Sequence, residues 1–389
     1  MEKGCVYPIR IKRKICYLVP SEDKIYFNKE EIKSPNNNLK FKHILKPKFN
    51  RLILVTTGRC NFDCVYCYSS QFKKKFKDLE FDRVKHLIRY LTKNYWNNIR
   101  NVEIIFTGGG EPTLNWSLIK GVVEYASKIK DFNFSFNISS TNGYLSDEKI
   151  RFIIHNKINL KISFDGTKEL QNRNRKLKNN NLSFDKIKKV LKTLDTLDYE
   201  YRLHCVITEN SLYKLEEIIS YVYGHFKPQL LSFGLEKKSK PNNDIVIKFV
   251  KEFIKAKKFA EAKGIKITAP DFGVGYPLII RCAGEMTLLP NGDLSLCHWA
   301  YDFSGKNKIF YLGHVSKNGK IRFLTENITK FRRLGKKLIN KKCETCIARF
   351  YCGGGCPNQR FDKSMTEERC KATVLMLKNR IKESISEVI

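Results

Sequence analysis

Short apolar runs alternate with longer stretches of mixed polarity from about residue 50 onward. The runs are rich in Val, Ile, Leu and Phe and predict β-strands at 51–57, 102–107, 133–140, 158–164, 201–208 and 229–235. Several are apolar at almost every position, which is typical of strands buried on both faces of a parallel sheet. The stretches between them predict amphipathic helices at about 81–96, 115–130, 146–156, 183–197 and 211–225. Six strand–helix units therefore predict an α/β fold, a partial (β/α)6 TIM-type barrel.

The segments before and after the predicted barrel differ from it in their sequence pattern. We expect a short β-rich extension at 1–48, the barrel at 49–240, a connecting helix and linker at 241–280, and a small α+β domain at 281–389. That last domain is glycine-rich and carries seven of the 13 cysteines. It has little apolar core of its own, so we expect bound metal to staple it.

The composition excludes several classes of protein. With 389 residues, 42% apolar and 29% charged, the chain is typical of a globular protein. No run approaches the ~18 apolar residues that a membrane span needs, and the N-terminus lacks the apolar block of a signal peptide. We expect a cytoplasmic protein with no membrane partner, in which clustered cysteines serve metal or redox chemistry rather than disulfides.

The charge balance is strongly basic. Lys and Arg number 73 against 39 Asp and Glu, which leaves +34. The basic residues are spread along the chain without interleaved aromatic residues, so a solvated lysine-rich surface is the simplest interpretation and the pattern argues against nucleic-acid binding. An acidic peptide or an acidic electron donor would be attracted to this surface, mostly at low salt.

Three cysteines directly follow the first predicted barrel strand. Cys60, Cys64 and Cys67 have the spacing C-x3-C-x2-C and lie on the loop at the strand's carboxyl end, where α/β barrels carry their chemistry. Three thiolates suit a four-iron cluster with one iron open to a further ligand. A zinc site with a fourth ligand elsewhere is the alternative.

This pattern, with Tyr66 directly before the third cysteine, resembles the radical S-adenosylmethionine (radical SAM) superfamily. The resemblance implies that the open iron binds S-adenosylmethionine and that reduction releases a 5′-deoxyadenosyl radical. The glycine run ending in Glu111 matches the family's GGE motif, which would hold the methionine amino group. The residues that would contact the cofactor are Tyr66, Gly109, Gly110, Glu111, Asn142, Ser163 and Arg175. Family members often have His-Asp where Gln171 and Asn172 stand in this sequence.

The C-terminal cysteines resemble those of the SPASM domain, a module that binds auxiliary clusters. By position, an outer cluster would be held by Cys343, Cys346, Cys352 and Cys370, and an inner one by Cys282, Cys297 and Cys356. The inner cluster would then have an open iron, unless Cys5, Cys16 or Cys205 closes it. A zinc ribbon is the alternative for the C-x2-C pair.

Together these resemblances imply an enzyme of the peptide-maturase type. It would abstract a hydrogen atom from a ribosomally made peptide and install a thioether or carbon–carbon crosslink, or another oxidative modification. Its cofactors would be S-adenosylmethionine and three [4Fe-4S] clusters, and its reductant a flavodoxin or ferredoxin. The N-terminal extension looks too short for a leader-binding domain, so we expect leader recognition either to need a separate leader-binding protein or to use the basic surface directly.

One residue separates the maturase types. Sulfatase maturases have an Asp directly after the cysteine that corresponds to Cys297, and this chain has His298. Imidazole can accept a proton at neutral pH, which makes His298 the candidate catalytic residue, with a structural histidine as the alternative. Anaerobic sulfatase maturation by formylglycine formation is the alternative function. A nucleic-acid-modifying radical SAM enzyme and a zinc-stabilised binding module are further alternatives.

Overall fold

The computed structural model describes residues 7–11, 14–19, 24–26, 30, 49–70, 76–179, 181–237, 243–272, 285–337, 341–352, 354–361 and 367–386. The strands are β1 (Tyr7–Ile11), β2 (Lys14–Val19), β3 (Lys24–Tyr26), β4 (Arg51–Val55), β5 (Phe62–Cys64), β6 (Asn101–Thr107), β7 (Asn133–Thr141), β8 (Asn159–Ser163), β9 (Arg175–Leu177), β10 (Tyr201–Ile207), β11 (Leu230–Leu235), β12 (Ile267–Thr268), β13 (Glu285–Leu288), β14 (Asp293–Ser295), β15 (Tyr311–Val315) and β16 (Ile321–Phe323).

The helices alternate with the barrel strands and then dominate the C-terminal part. They are α1 (Phe81–Asn94), α2 (Trp116–Ala126), α3 (Asp147–His155), α4 (Lys168–Asn174), α5 (Phe184–Thr196), α6 (Leu215–His225), α7 (Asn243–Glu261), α8 (Thr325–Lys337), α9 (Lys341–Glu344), α10 (Arg349–Cys352), α11 (Pro357–Phe361) and α12 (Glu367–Ser386).

One sheet carries the barrel, in the strand order β12-β11-β10-β8-β7-β6-β4-β13-β14-β15-β16. All pairs from β12 to β13 are parallel, and the pairs from β13 to β16 are antiparallel. The six strands predicted from the apolar runs are β4, β6, β7, β8, β10 and β11, so the partial α/β barrel is confirmed. The same sheet continues through β13 into the C-terminal part, which therefore shares the barrel's framework.

Helical spacing of apolar residues explains how the outer layer packs on this sheet. In α1 the buried side chains include Val84, Leu87, Ile88 and Leu91, which follow the i, i+3, i+4, i+7 pattern of one helix face. The start of α3 is fixed by Ser146, whose hydroxyl accepts a hydrogen bond from the Lys149 backbone N–H, with acidic residues in the first turn. The helices thus cover the outer surface of the barrel and leave its carboxyl end free for loops.

A second apolar cluster joins the N-terminal strands to the C-terminal helices. Leu18 of β2 is buried with side chains around α10 and α12: Ile347, Ala348, Tyr351, Leu377, Ile381 and Ile385. Strands β1, β2 and β3 form an antiparallel sheet of their own, as expected for a β-rich extension. Among the residues described, no helix is long and apolar enough to cross a membrane.

We expect Leu377→Ala to lower the free energy of unfolding by about 2–5 kcal/mol, because Leu377 is 1% exposed and its loss leaves a cavity in this cluster. Urea denaturation of the anaerobically purified protein measures the change. Leu182→Ala is the control, since Leu182 is 56% exposed, and should change stability by no more than about 0.5 kcal/mol. Equal effects of the two substitutions would contradict this packing.

Candidate active site

A cavity of about 470 Å³ lies inside the barrel. It is lined by alternate residues of the strands, such as Ile53, Ile105 and Val206, together with loops from the carboxyl ends. The predicted site residues in the lining are Cys60, Cys64, Tyr66, Cys67, Gly109, Gly110, Asn142, Ser163, Arg175 and His298. One cavity therefore brings together most of the residues that the sequence singled out for cofactor binding.

The loop with the first three cysteines is held by a small antiparallel ribbon. Strand β5 pairs with β9, so that Cys64 lies opposite Arg175, and the backbone N–H of Val65 donates to the Asn174 carbonyl at 3.0 Å. Burial raises the pKa of the Cys64 thiol to about 11, Arg175 opposes the rise, and Asp165, Cys67 and Cys60 add to it. The three thiols therefore lie close enough to influence one another, as a shared cluster requires.

The buried guanidinium of Arg175 connects this loop to the barrel. Its Nε donates to Asp165 Oδ1 at 3.1 Å and its Nη1 to Asn142 Oδ1 at 2.9 Å. The Tyr66 hydroxyl donates to Asp165 Oδ2 at 2.6 Å, and the guanidinium lies 5.2 Å from the centre of the Tyr66 ring. Burial alone would lower the pKa of Arg175, but the negative charge of Asp165 raises it, so the residue stays a cation.

Glu111 lies behind the cavity lining rather than in it. Its Oε1 accepts from the backbone N–H and hydroxyl of Thr113 and from the Thr141 hydroxyl, while its Oε2 accepts from the backbone N–H and side-chain amide of Asn142. The carboxylate thus fixes the end of β7. The GGE motif presents its glycines to the cavity, and direct contact between Glu111 and a cofactor stays a prediction.

Two residues that depart from the family pattern have structural partners. Gln171 accepts from the backbone N–H of Asp165 at 2.9 Å and donates to the Ser183 hydroxyl at 3.0 Å. Asn172 accepts from the backbone N–H groups of Ser183 and Phe184. These amides fix the loop that follows β8, and Ser163, buried at the end of that strand, lines the cavity beside it.

The C-terminal cysteines form two further groups. Burial raises the pKa of Cys297 to about 11, and nearby Cys356 contributes to the rise. Cys343, Cys346 and Cys370 line a second cavity of about 610 Å³. Cys346 and Cys352 both pack against the apolar cluster that contains Leu18. The assignment of these cysteines to an inner and an outer cluster stays a prediction.

Several cysteine predictions cannot be placed in this way. Cys282 and Cys5 lie outside the described residues, as does the side chain of Cys16. Cys205 is fully buried in the main apolar core. Within the part of the chain that is described, no three His, Cys, Asp or Glu side chains converge on a site for a single metal ion.

The inner wall of the barrel carries charged residues that the sequence patterns did not identify. Arg51 donates to Glu103 at 2.6 Å and also contacts Glu285, and Arg51, Lys161, His204 and Glu285 all line the cavity. Burial lowers the pKa of His204, and the neighbouring cations Lys161, Arg175 and Lys237 lower it further, so this imidazole is neutral. These residues could have been identified in the sequence as charged or polar residues at inward positions of otherwise apolar strands.

His298 lies in the wall of the cavity that the C-terminal part supplies. Its Nδ1 is buried, lies 3.7 Å from Glu285 Oε2 and has no hydrogen-bond partner among the described atoms. Its ring packs edge-on against Trp299, whose own ring lies 5.6 Å from that of Tyr68. This wall therefore combines an imidazole, a carboxylate and two aromatic rings next to the cysteine loop.

We expect Arg175→Met to lower the free energy of unfolding by about 3–5 kcal/mol, because it leaves Asp165 buried without its cation. The rate of hydrogen exchange at residues 60–67 should increase in the same variant, because the ribbon and Tyr66 lose their contacts with the guanidinium. Urea denaturation and mass-spectrometric exchange measure both effects. Arg173→Met, an exposed change two residues away, is the control, and similar losses in both variants would contradict the anchoring role.

The glycine motif gives a second matched pair of variants. A Cβ at Gly110 would lie 1.9 Å from the Arg59 carbonyl oxygen, whereas a Cβ at Gly109 would meet no atom closer than 3.8 Å. We expect Gly110→Ala to destabilise the loop, and Gly109→Ala to fold normally but bind S-adenosylmethionine more weakly. Thermal unfolding and equilibrium dialysis measure the two effects. A Gly110→Ala protein as stable as the original would contradict this geometry.

Comparison with known proteins places this site in a family. Residues 54–222 match the model of the Radical SAM superfamily. The chain is 34% identical over 206 residues to uncharacterized protein MJ0907 of Methanocaldococcus jannaschii, covering 52% of this chain and 68% of that protein. It is 24% identical to the cysteine-type anaerobic sulfatase-maturating enzyme of Clostridium perfringens (82% of this chain, 91% of that protein). It is 23% identical to mycofactocin maturase MftC of Mycolicibacterium smegmatis (78% and 77%).

Solved structures agree on the fold. The protein described as native anSMEcpe with bound AdoMet superposes with a TM-score of 0.67 at 20% identity, covering 85% of this chain and 100% of that one. Its strand-and-helix framework is thus shared from the barrel into the C-terminal part. From the family match, the relatives and the cysteine loop facing the barrel cavity, we conclude that the chain belongs to the Radical SAM superfamily.

Proposed function

We propose that this radical SAM enzyme is a maturase that oxidatively modifies a peptide or protein, with a crosslink as the modification. The observation that carries the proposal is the position of the three cysteine groups. One faces the barrel cavity, and two belong to the C-terminal part that shares the same sheet. The maturases among the similar proteins support a peptide or protein as substrate.

The residues of the cavity divide into cofactor and substrate sides. We assign Cys60, Cys64 and Cys67 to the radical cluster, which with S-adenosylmethionine supplies a 5′-deoxyadenosyl radical when both are bound. Gly109, Gly110, Asn142, Ser163 and Arg175, together with Tyr66, would surround the cofactor, since all six line the cavity. The barrel wall around them keeps bulk water away from the place where a radical would form.

The wall that the C-terminal part supplies is the proposed substrate side. His298 and Glu285 face the cavity from the C-terminal part, and Tyr68 and Trp299 offer aromatic surface beside them. From its position, His298 is our candidate to take a proton from the substrate after a hydrogen atom has been removed. Arg51 holds Glu285 from the barrel side, so the carboxylate is fixed where it can orient the imidazole.

Formylglycine formation on a sulfatase is a second candidate function. It is favoured by the extent of the similarity to the sulfatase-maturating enzyme of C. perfringens, which spans 91% of that protein. His298 argues in the other direction, because it replaces the Asp that the sulfatase maturases carry after this cysteine. A peptide substrate and an external reductant, flavodoxin or ferredoxin, are common to both candidates.

The remaining partners and cofactors are also proposals. We assign the outer auxiliary cluster to Cys343, Cys346, Cys352 and Cys370, and the inner one to Cys297 and Cys356 with Cys282. A separate leader-binding protein is a further proposed partner, and the cytoplasm is the proposed location. A nucleic-acid substrate would instead predict tight RNA binding that weakens steeply with salt.

Iron and sulfide content after anaerobic purification tests the cofactor assignment. We expect about twelve irons per chain, and about eight after Cys60, Cys64 and Cys67 are all changed to Ala, because each cluster holds four. The variant should also lose the release of 5′-deoxyadenosine from S-adenosylmethionine under dithionite. Stoichiometric zinc with little iron would overturn the catalytic proposal.

Product analysis then separates the two candidate functions. The substrates are a short cysteine-containing precursor peptide and a peptide with the cysteine motif of a sulfatase. A crosslink removes two hydrogen atoms from the peptide, whereas formylglycine formation replaces the thiol by an aldehyde, and mass spectrometry distinguishes them. Aldehyde on the sulfatase peptide, with no change to the precursor, would replace the crosslinking proposal by the second candidate.

A further inference from the structure

The second cavity opens to solvent in the C-terminal part of the chain. One face of α12 forms a wall of it, with side chains at i, i+3, i+4, i+7, i+8 and i+11: Glu367, Cys370, Lys371, Val374, Leu375 and Lys378. The other face of the helix buries Leu377, Ile381 and Ile385 against the N-terminal strands. The cavity is therefore built on a helix whose position is fixed from behind.

Thiols lie in the lining of this cavity. The backbone N–H of Cys346 donates to the Cys343 carbonyl at 3.2 Å, so these two residues share one turn. Cys343, Cys346 and Cys370 all line the cavity, which fits the outer cluster that the sequence resemblance implies. A group held there would lie next to the solvent, unlike one held by Cys60, Cys64 and Cys67 inside the barrel.

Cationic side chains surround these thiols. Lys342, Lys371 and Lys378 are exposed at the rim, and Arg360 also lies in the lining. Among the described lining residues the one acid is Glu367, at 3.9 Å from Lys342 and 3.8 Å from Lys371. Four cations against one carboxylate give the described lining, its thiols aside, a net charge of +3.

A positive rim around an open redox site selects its partner by charge. Opposite charge accelerates encounter and fixes orientation, and rim charges act mainly on the association rate. We propose that this lysine rim, formed by Lys342, Lys371 and Lys378, is the docking surface of a small acidic electron-transfer protein of the ferredoxin or flavodoxin kind. With a four-iron cluster held by Cys343, Cys346, Cys352 and Cys370, the reduced carrier would give up one electron and the cluster would accept it, with no bond made or broken.

Charge reversal at the rim tests this surface on the anaerobically purified, cluster-loaded chain. The rim variant is Lys342→Glu, Lys371→Glu and Lys378→Glu. The control variant is Lys120→Glu, Lys128→Glu and Lys130→Glu, three exposed lysines on and just after α2, which changes the net charge by the same amount. The probe is a purified acidic ferredoxin, and surface plasmon resonance measures its Kd over a series of salt concentrations.

We expect the rim variant to bind ferredoxin about tenfold more weakly or worse, with a shallower salt dependence, and the control to stay within about twofold of the original protein. Equal weakening of both variants would show that overall charge attracts the carrier and would overturn the assignment. Binding unchanged in the rim variant would overturn it as well. An acidic flavodoxin, as second probe, should rank the three proteins in the same order.

The inference rests on the proposed function, because it assumes a cluster at these thiols. A second measurement distinguishes failure of the docking surface from absence of the cluster. Iron content and the electron paramagnetic resonance signal after dithionite reduction should be the same in the rim variant and the original. Iron content unchanged by Cys343→Ala would remove the proposed outer cluster. In that case, selective loss of ferredoxin binding in the rim variant would still show that the carrier docks at the lysine rim.

Discussion

The site depends on one buried ion pair, that of Arg175 with Asp165. Both side chains are at most 5% exposed, and an isolated charge at that depth would be strongly destabilising. The pair is compensated by further hydrogen bonds, because Asp165 also accepts from Tyr66 and from the Val206 backbone N–H. These partners come from the cysteine loop and from β10, so satisfying one pair of charges fixes the position of the loop relative to the barrel.

The same polar network continues to the glycine motif. Arg175 donates to Asn142, Asn142 donates to Glu111, and Glu111 caps the short helical turn Pro112–Leu114, which directly follows the glycine motif. Each carboxylate and amide in this series is satisfied by protein donors, which rigidifies a buried network. The cavity is therefore shaped before any cofactor binds, and binding energy is not needed to order it.

The sequence predicted the barrel strands, the helices and the grouping of Cys60, Cys64 and Cys67, because each of these follows from local periodicity or local spacing. It could not predict that Asp165 and Glu111 act behind the lining, since their partners come from other strands through the sheet register. Arg51 and Glu285 were missed for the same reason: they are 234 residues apart and meet because β4 and β13 are neighbours. Charged residues inside apolar strands break the expected pattern at a functional site, as is common.

The pairing of β13 with β4 joins the barrel to the C-terminal part that carries the cysteines proposed to hold auxiliary clusters. Strand β4 leads directly into the cysteine loop, and β13 leads through β14 to Cys297 and His298. Because the two strands are hydrogen-bonded in fixed register, the wall that carries His298 is held at a set position beside the loop that carries Cys60, Cys64 and Cys67. A substrate held against this wall would lie close to the cysteine loop as well as to the imidazole, so the register of β4 and β13 limits which substrate atom can react.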